Sequence, residues 1–397
     1  MTAPTYGVTQ ECDWNALGDE AFRAVVRADF EQHFPRHLRF PPSRLRWSEN
    51  RDWYLRMAAK GWIAPSWPCE FGGMGLAPAK LLIFLEEQER CGIVRFQDHG
   101  VLMVGPVLLR FGSEAQRRRY LPGILSCEEI WCQGYSEPGA GSDLASLRTR
   151  AEIVAGPEGE EFVINGQKIW TTFAHDSTHM FALVRTDPDA KAQEGISFVL
   201  LDMKAPGITV RPIRDISGHE EFCEVFLDNV RTPAYNLVGQ LNRGWTVAKS
   251  LLGFERIHIG SPKLPENGLQ VLVSIARARG LIDDPVFRDR LVALQLDVRH
   301  LADIYAQFGA TVARGEPLGQ DVSVLKIWAT ETYQRIADLI VEAAGPYGAV
   351  SGNAEIGGVR INVLASFYKA RPTTIYGGSN EIQRNILAKH VLGLPGN

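Results

Sequence analysis

The spacing of apolar and polar residues divides the chain into three zones. Residues 13–125 and 240–397 carry apolar side chains at intervals of three and four, which predicts amphipathic helices. Residues 130–235 alternate apolar and polar side chains around short turn signals, which predicts β-strands. The expected order is therefore helical block, β block, helical block.

Within these zones the pattern predicts individual elements. The predicted helices cover residues 21–34, 49–60, 77–91, 242–254, 286–308, 323–343 and 380–391. The predicted strands cover residues 149–156, 161–170, 179–186, 195–203, 208–213 and 222–230. The dipeptide Asn165-Gly166 is the strongest turn signal of the β block, because both residues tolerate positive φ.

The three zones also set the expected domains. We expect an N-terminal helical domain at residues 1–129, a middle β domain at 130–237 and a C-terminal helical domain at 238–397. A chain of 397 residues is long enough for two or three domains, each with a core of its own.

Composition excludes several classes of function. The net charge of −4 leaves no basic footprint, so we expect no nucleic-acid partner. No stretch approaches the roughly 18 apolar residues that span a bilayer, and residues 1–20 lack the features of a leader. We therefore expect no membrane association and a cytoplasmic location. The six cysteines form no CxxC pair and the nine histidines no HExxH motif, so we expect no metal.

The first candidate site is the segment WCQGYSEPGAGSDLASLRTRA at residues 131–151. Its glycines would let backbone N–H groups approach an anionic or planar ligand, because glycine has no Cβ. Composition alone favours a domain-crossing loop that needs glycine only for its turns. Trp170 and the hydroxyls of Thr171 and Thr172 follow in the β block, and they would suit a flat ring, although tryptophan commonly fills a core.

A second group of candidates lies in the C-terminal half. Val247, Leu251, Glu255 and His258 share one helix face, which places a carboxylate on an apolar stripe and should raise its pKa. A surface pair of Glu255 with Arg256, or an ion pair between helices, would explain the same pattern.

Near the C-terminus, Ser379 follows two glycines and is a plausible N-cap, so this helix start could receive an anion. Taken out of context, the same residues favour an ordinary capped helix that ends at Gly393 and Pro395. No GxGxxG or P-loop motif occurs in the expected context, which argues against a dinucleotide-binding or P-loop enzyme.

Together, these segments resemble the acyl-CoA dehydrogenase family in order and separation, over nearly the whole chain. The loop CQGYSEPGAGSDLAS is highly specific to that family. The resemblance implies an α+β fold with an N-terminal α-helical domain, a middle β-barrel-like domain and a C-terminal four-helix bundle domain. It also implies FAD, held between the last two domains.

The resemblance also assigns roles to individual positions. Ser136 matches the hydroxyl that bonds the flavin pyrimidine edge, and Thr172 matches a position near flavin N5. The cofactor-binding positions it implies are Gln133, Tyr135, Ser136, Gly141, Ser142, Trp170, Thr171, Thr172, Ser379 and Glu381. The substrate-binding positions it implies are Ser142, Arg256 and Gly378.

The catalytic base requires a choice between two positions. Many family members carry a glutamate where this chain has Gly377, whereas other branches place the base in a Glu-Arg pair on an earlier helix. This chain has Glu255-Arg256 there, so Glu255 is the expected base. The chain also lacks the Arg-x-x-Phe-Gly element and reads Gly345-Pro346 where paired glycines are usual. These departures resemble the branch acting on pimeloyl-CoA or on the bulky CoA esters of steroid breakdown.

The resemblance implies formation of an α,β (trans-2) double bond in a CoA thioester, with an electron-transfer flavoprotein as the electron acceptor. It implies a homo-oligomer, either a dimer or a tetramer, or a heterotetramer with a related subunit. Two other functions remain open on the same fold: an acyl-CoA oxidase or flavin monooxygenase, and a non-catalytic partner subunit of a heterotetrameric dehydrogenase.

Overall fold

A computed structural model describes residues 13–41, 43–94, 99–314, 316 and 318–395, without the side chains of residues 252–258, 313 and 359. Its contacts divide the chain into two compact units, Met1–Leu251 and Leu252–Asn397. Both predicted domain boundaries, at 129/130 and 237/238, fall within the first unit, and they stay predictions.

The first unit begins with a helical region. Its α-helices in the described residues are α1 (Asp19–His33), α2 (Trp47–Ala59), α3 (Pro78–Arg90), α4 (Gly105–Phe111) and α5 (Glu114–Leu125). In α1, Phe22, Val26 and Phe30 recur every four residues and have no exposed surface, so one helix face forms the core. Helix α5 begins with a capping box in which Ser113 Oγ accepts from the Gln116 N–H at 3.1 Å.

The β region follows as one sheet. Its strands are β1 (Trp131–Gly134), β2 (Arg150–Gly156), β3 (Gly159–Thr172), β4 (His179–Arg185), β5 (Ile196–Asp202), β6 (Ile208–Ile213), β7 (Phe222–Pro233) and β8 (Leu237–Val238). They are ordered β6-β7-β3-β2-β4-β5-β8, and β1 pairs with β4. The interior residues of β4 and most of β5 are buried, so their near-continuous apolar sequences match strands that are covered on both faces.

The turn predicted at Asn165-Gly166 is wrong. These residues lie inside β3, at a register shift between Ile164 and Gly166, and the β2–β3 hairpin instead closes where Gly156 pairs with Gly159. Gly166 is required for close packing, since a Cβ there would lie 2.5 Å from Thr149 Oγ1. The glycine therefore lies within a long strand rather than at its end, and the extra residue at this register shift belongs to the facing strand β7, since two steps along β3 oppose three steps along β7.

The second unit is helical again. Helix α6 (Gly244–Ile259) contains the division point, and the later elements are α7 (Lys263–Ala278), α8 (Pro285–Ala313), α9 (Ser323–Ala344), the hairpin β9 (Ala354–Ile356) and β10 (Val359–Ile361), α10 (Val363–Ala370) and α11 (Asn380–His390). The fully buried side chains of Leu272, Ile275, Ile336 and Ile340 form the centre of its core. The predicted fold class, helical then β then helical, is confirmed.

Across the part of the chain that the structure describes, no helix has both the length and the apolar character needed to cross a membrane.

Candidate active site

The loop that follows β1 begins in the core of the β region. β1 runs parallel to β4, with the half-buried Gln133 opposite Phe181. A Cβ on Gly134 would lie 2.5 Å from Met180 Sδ, so this position requires glycine. The ring of Tyr135 is buried edge-on against Phe181, with centroids 5.8 Å apart. A ligand at the loop surface would therefore meet the backbone of Tyr135 rather than its ring.

The outer part of the loop is open to solvent. Gly139, Gly141 and Ser142 are exposed, and a Cβ at either glycine would meet no atom within 4 Å. Neither glycine has a positive φ. Since neither packing nor backbone conformation requires glycine here, the open space leaves room for a ligand to approach the backbone closely.

A buried ion pair fixes the inner part of the loop. Lys168 Nζ donates to Glu137 Oε1 at 2.8 Å, to the Leu183 carbonyl at 2.7 Å and to the Tyr135 carbonyl at 3.2 Å. The Glu137 carboxylate also accepts the N–H groups of Arg148 at 2.7 Å and Thr149 at 2.9 Å.

Burial lowers the pKa of Lys168 to about 8. Burial alone would raise the pKa of Glu137, but Lys168 and the backbone donors bring it below its usual value. Sequence reasoning missed both residues, although a signal was present. Phe162 and Ile164 are buried, and Lys168 has the same strand parity, so alternation already directed this lysine inward.

The end of β3 reaches the same loop. The Ile169 N–H donates to the Ser136 carbonyl at 2.9 Å, which brings the predicted Ser136 beside the predicted segment Trp170–Thr172. The register against β7 shifts between Lys168 and Thr171, and Trp170 has φ 60° with 56% of its surface exposed. Thr172 is half-buried.

Thr171 differs from its neighbours because it is only 1% exposed, and its hydroxyl has no hydrogen-bond partner among the described residues. Its side chain is therefore buried, whereas that of the adjacent Trp170 is exposed.

In the second unit, the glycine turn before α11 holds the remaining described candidates. Gly377 and Gly378 have φ of 65° and 77°, which disfavours any side chain at these positions. Ser379 caps α11, its Oγ accepting from the Ile382 N–H at 3.4 Å. Glu381 is exposed, and its own backbone N–H and the Ser379 hydroxyl hold its pKa below the usual value.

The side chains of Glu255 and Arg256 lie outside the described residues, so their roles stay predictions. Helix α6 does include both positions. Earlier in this helix, Val247 and Leu251 are 2% and 7% exposed, so the first part of the expected apolar stripe is buried.

The sequence matches the family models for acyl-CoA dehydrogenases along nearly its whole length. The N-terminal domain model matches residues 18–128, the middle domain model 132–230 and the C-terminal domain model 242–392. The chain therefore belongs to the acyl-CoA dehydrogenase family, and it is an enzyme of that class.

Similar proteins come from the same family. The acyl-CoA dehydrogenase IpdE1 of Mycobacterium tuberculosis is 41% identical over 350 residues, covering 87% of this chain and 88% of the relative. A solved structure described as the Tcur3481-Tcur3483 steroid ACAD superposes with a TM-score of 0.85 at 29% identity, covering 96% of this chain and 98% of the other. The ChsE4-ChsE5 complex from Mycobacterium tuberculosis gives 0.82 at 29% identity, with the same two coverages. These relatives support the steroid-degradation branch.

Acyl-CoA dehydrogenases normally bind FAD, and the residues of the first unit fit part of such a group. An exposed aromatic side chain, Trp170, lies beside the Ser136 backbone, and open space lies over the glycines at 139 and 141. Flat aromatic groups pack well on exposed tryptophan, and open glycine backbone suits phosphate or carbonyl groups.

Proposed function

We propose that this chain is a FAD-dependent dehydrogenase that introduces a trans-2 (α,β) double bond into a CoA thioester. One observation carries the proposal: the Ile169–Ser136 hydrogen bond of 2.9 Å joins the two segments expected to hold the flavin. Backbone positions that are 33 residues apart in the sequence are thereby adjacent.

In this proposal, Ser136 and Thr172 hold the polar edge of the flavin and Trp170 packs beside it. The exposed backbone around Gly141 and Ser142 receives the flavin or the pantetheine chain of the substrate. In the second unit, Gly378 and Arg256 contact the substrate, while Ser379 and Glu381 contact the FAD of a neighbouring part of the assembly. When bound, FAD accepts a hydride from the β carbon of the substrate.

Glu255 is the proposed base. It stands four residues after Leu251 on a stripe whose first members are buried, and burial raises the pKa of a carboxylate. A carboxylate of raised pKa is suited to removing the α proton of a thioester. Gly377 offers no carboxylate at the alternative position. The α proton passes to Glu255, the β hydrogen leaves with its electron pair, and the remaining pair forms the double bond.

The test is Glu255→Gln, which keeps the shape of the side chain and removes its basicity. We expect FAD binding to persist and anaerobic bleaching of the flavin by substrate to slow by about 10²–10⁴-fold. Glu158→Gln, on the exposed β2–β3 turn, is the matched control and should bleach at the normal rate. Unchanged bleaching in the Glu255 variant would discard this base.

The substrate class is proposed from the relatives. Because solved structures described as steroid ACADs superpose on this chain, we expect a bulky, steroid-derived CoA ester rather than a straight-chain one. A panel of CoA esters of both kinds, scored by anaerobic flavin bleaching, tests this. We propose an electron-transfer flavoprotein as the acceptor; fast reoxidation of the reduced enzyme in air would instead indicate an oxidase.

A second candidate function is that of one subunit in a heteromeric dehydrogenase. The Tcur3481-Tcur3483 and ChsE4-ChsE5 structures each carry two protein names, which favours this candidate. Purification of the chain without a partner distinguishes these two candidate functions. A yellow protein with one FAD per chain supports an autonomous enzyme, whereas a colourless protein supports a subunit that needs a partner.

A further inference from the structure

The buried pair of Glu137 and Lys168 joins three separate segments of the first unit. Lys168 is fully buried, and its hydrogen bonds go to the loop after β1, through Glu137 and Tyr135, and to β4, through Leu183. The next residue, Ile169, donates to Ser136. Residues 135–137 are therefore bound to residues 168–169 by consecutive contacts, immediately before the bulge that exposes Trp170.

Stability alone is a poor explanation for this pair. Removing two charges from water is costly, and well-packed apolar residues of similar volume often give equal or greater stability. The pair does fix the relative positions of the backbone segments that it binds. The ammonium group has three donors; two have acceptors in the loop after β1, at Tyr135 and Glu137, and the third has its acceptor in β4, at Leu183. An apolar pair of the same volume would leave the Tyr135 and Leu183 carbonyls without this donor.

We propose that Glu137 and Lys168 are positioning residues that fix Ser136 relative to Trp170–Thr172, and thereby set the fit of the flavin edge between them. The inference rests on the proposed function. Neither side chain touches the flavin; both act through the backbone they hold. Removing the pair should therefore weaken flavin binding even where folding is preserved.

The decisive variant is the double substitution Glu137→Gln with Lys168→Met. It leaves no unpaired buried charge, so most of the folding stability should be retained. The tether to the Tyr135 carbonyl is still lost. We expect the Kd for FAD to rise about tenfold, the loss of roughly one good hydrogen bond, with a shift in the visible flavin spectrum. Glu137→Gln alone keeps Lys168 and should raise the Kd by a smaller factor.

Glu87→Gln is the matched control. Glu87 is also a buried carboxylate of the first unit, bound by Arg23, Arg27 and Arg90 among the N-terminal helices. This variant should lower the unfolding temperature and leave the Kd for FAD within about twofold, since no hydrogen bond at the flavin surface changes.

FAD titration followed by flavin fluorescence, together with thermal unfolding of each holoprotein, gives the answer. If the double variant binds FAD with unchanged Kd and spectrum, or if Glu87→Gln weakens binding equally, the inference is overturned. If the double variant does not fold, the single Glu137→Gln variant provides the test. An unchanged Kd for FAD in that single variant would also overturn the inference. A wild-type chain that binds no FAD would refute the proposed function as well.

Discussion

Two glycine-rich segments of this protein are held in place by opposite means. The loop after β1 is fixed by Lys168, which lies 31 residues beyond Glu137 in the sequence. The turn before α11 is fixed locally: Gln383 Nε2 donates to the Gly377 carbonyl, six residues back, at 3.1 Å. The loop therefore depends on the assembled sheet, whereas the turn depends mainly on the first part of its own helix.

The glycines also serve different purposes. At Gly377 and Gly378 the positive φ explains why glycine is present, so these residues need no ligand to account for them. At Gly139 and Gly141 nothing in the chain itself requires glycine. A glycine that its own fold does not require is the stronger indication of a binding surface.

The largest expected effect concerns the long-range tether. Lys168→Met leaves the Glu137 carboxylate buried without its cation, which should lower the free energy of unfolding by about 3–5 kcal/mol. Chemical denaturation of the single variant and of the double variant with Glu137→Gln measures this. A loss under about 1 kcal/mol in the single variant would mean that the loop does not depend on its ion pair.

The next largest effect is expected on acidification, which should destabilise the first unit more than the second. Burial lowers the pKa of His99 to about 3 and that of His179 to about 4, both from 6.5. Between each lowered pKa and 6.5, the unfolded chain binds more protons than the folded chain does. The stability that these histidines contribute is therefore fully present above pH 6.5 and is lost as the pH falls.

Each of these histidines should cost the first unit about 2 kcal/mol between pH 7 and pH 5. His300 and His390, in the second unit, are exposed. Hydrogen exchange at the two pH values, corrected for the intrinsic rates, should show earlier opening in the first unit. Equal acid sensitivity of both units would contradict this assignment.

Replacing the local tether should have a smaller effect. Gln383→Leu removes the donor to Gly377 but also removes a buried Oε1 that has no partner among the described residues. The two changes partly offset each other, so we expect a loss of about 1–2 kcal/mol. Asn385→Ala, exposed on the same helix, should change stability by less than about 0.5 kcal/mol. An effect as large as that of Lys168→Met would remove the contrast between the segments.

The smallest expected effect is at the helix cap. Ser379→Ala removes the acceptor for the Ile382 N–H and should cost about 1 kcal/mol. Because the cap is local, hydrogen exchange should accelerate at the first turn of α11 and stay unchanged in the loop after β1. Ser379→Asp should restore the protection. Loss of protection in both segments would show that they are coupled.

Prediction from the sequence succeeded where local pattern decides structure. α1, α2, α3, α9 and α11 begin and end within two residues of their predicted bounds. Helix α7 was missed because Pro265 and Gly268 resemble breaks. The structure accommodates Pro265 in the first turn, and a Cβ on Gly268 would lie 3.0 Å from Ile336 Cγ2, so close packing with α9 explains the glycine.

The sequence by itself determined the family, the order of helical and β regions, and the segments that carry the candidate chemistry, because these depend on periodicity and on residues close together in the chain. Only the tertiary structure decided that Lys168 reaches Glu137, that Ser136 meets Ile169, and that Thr171 faces inward. Such contacts depend on sheet order and register, and a one-residue shift in register reverses which side chains are buried.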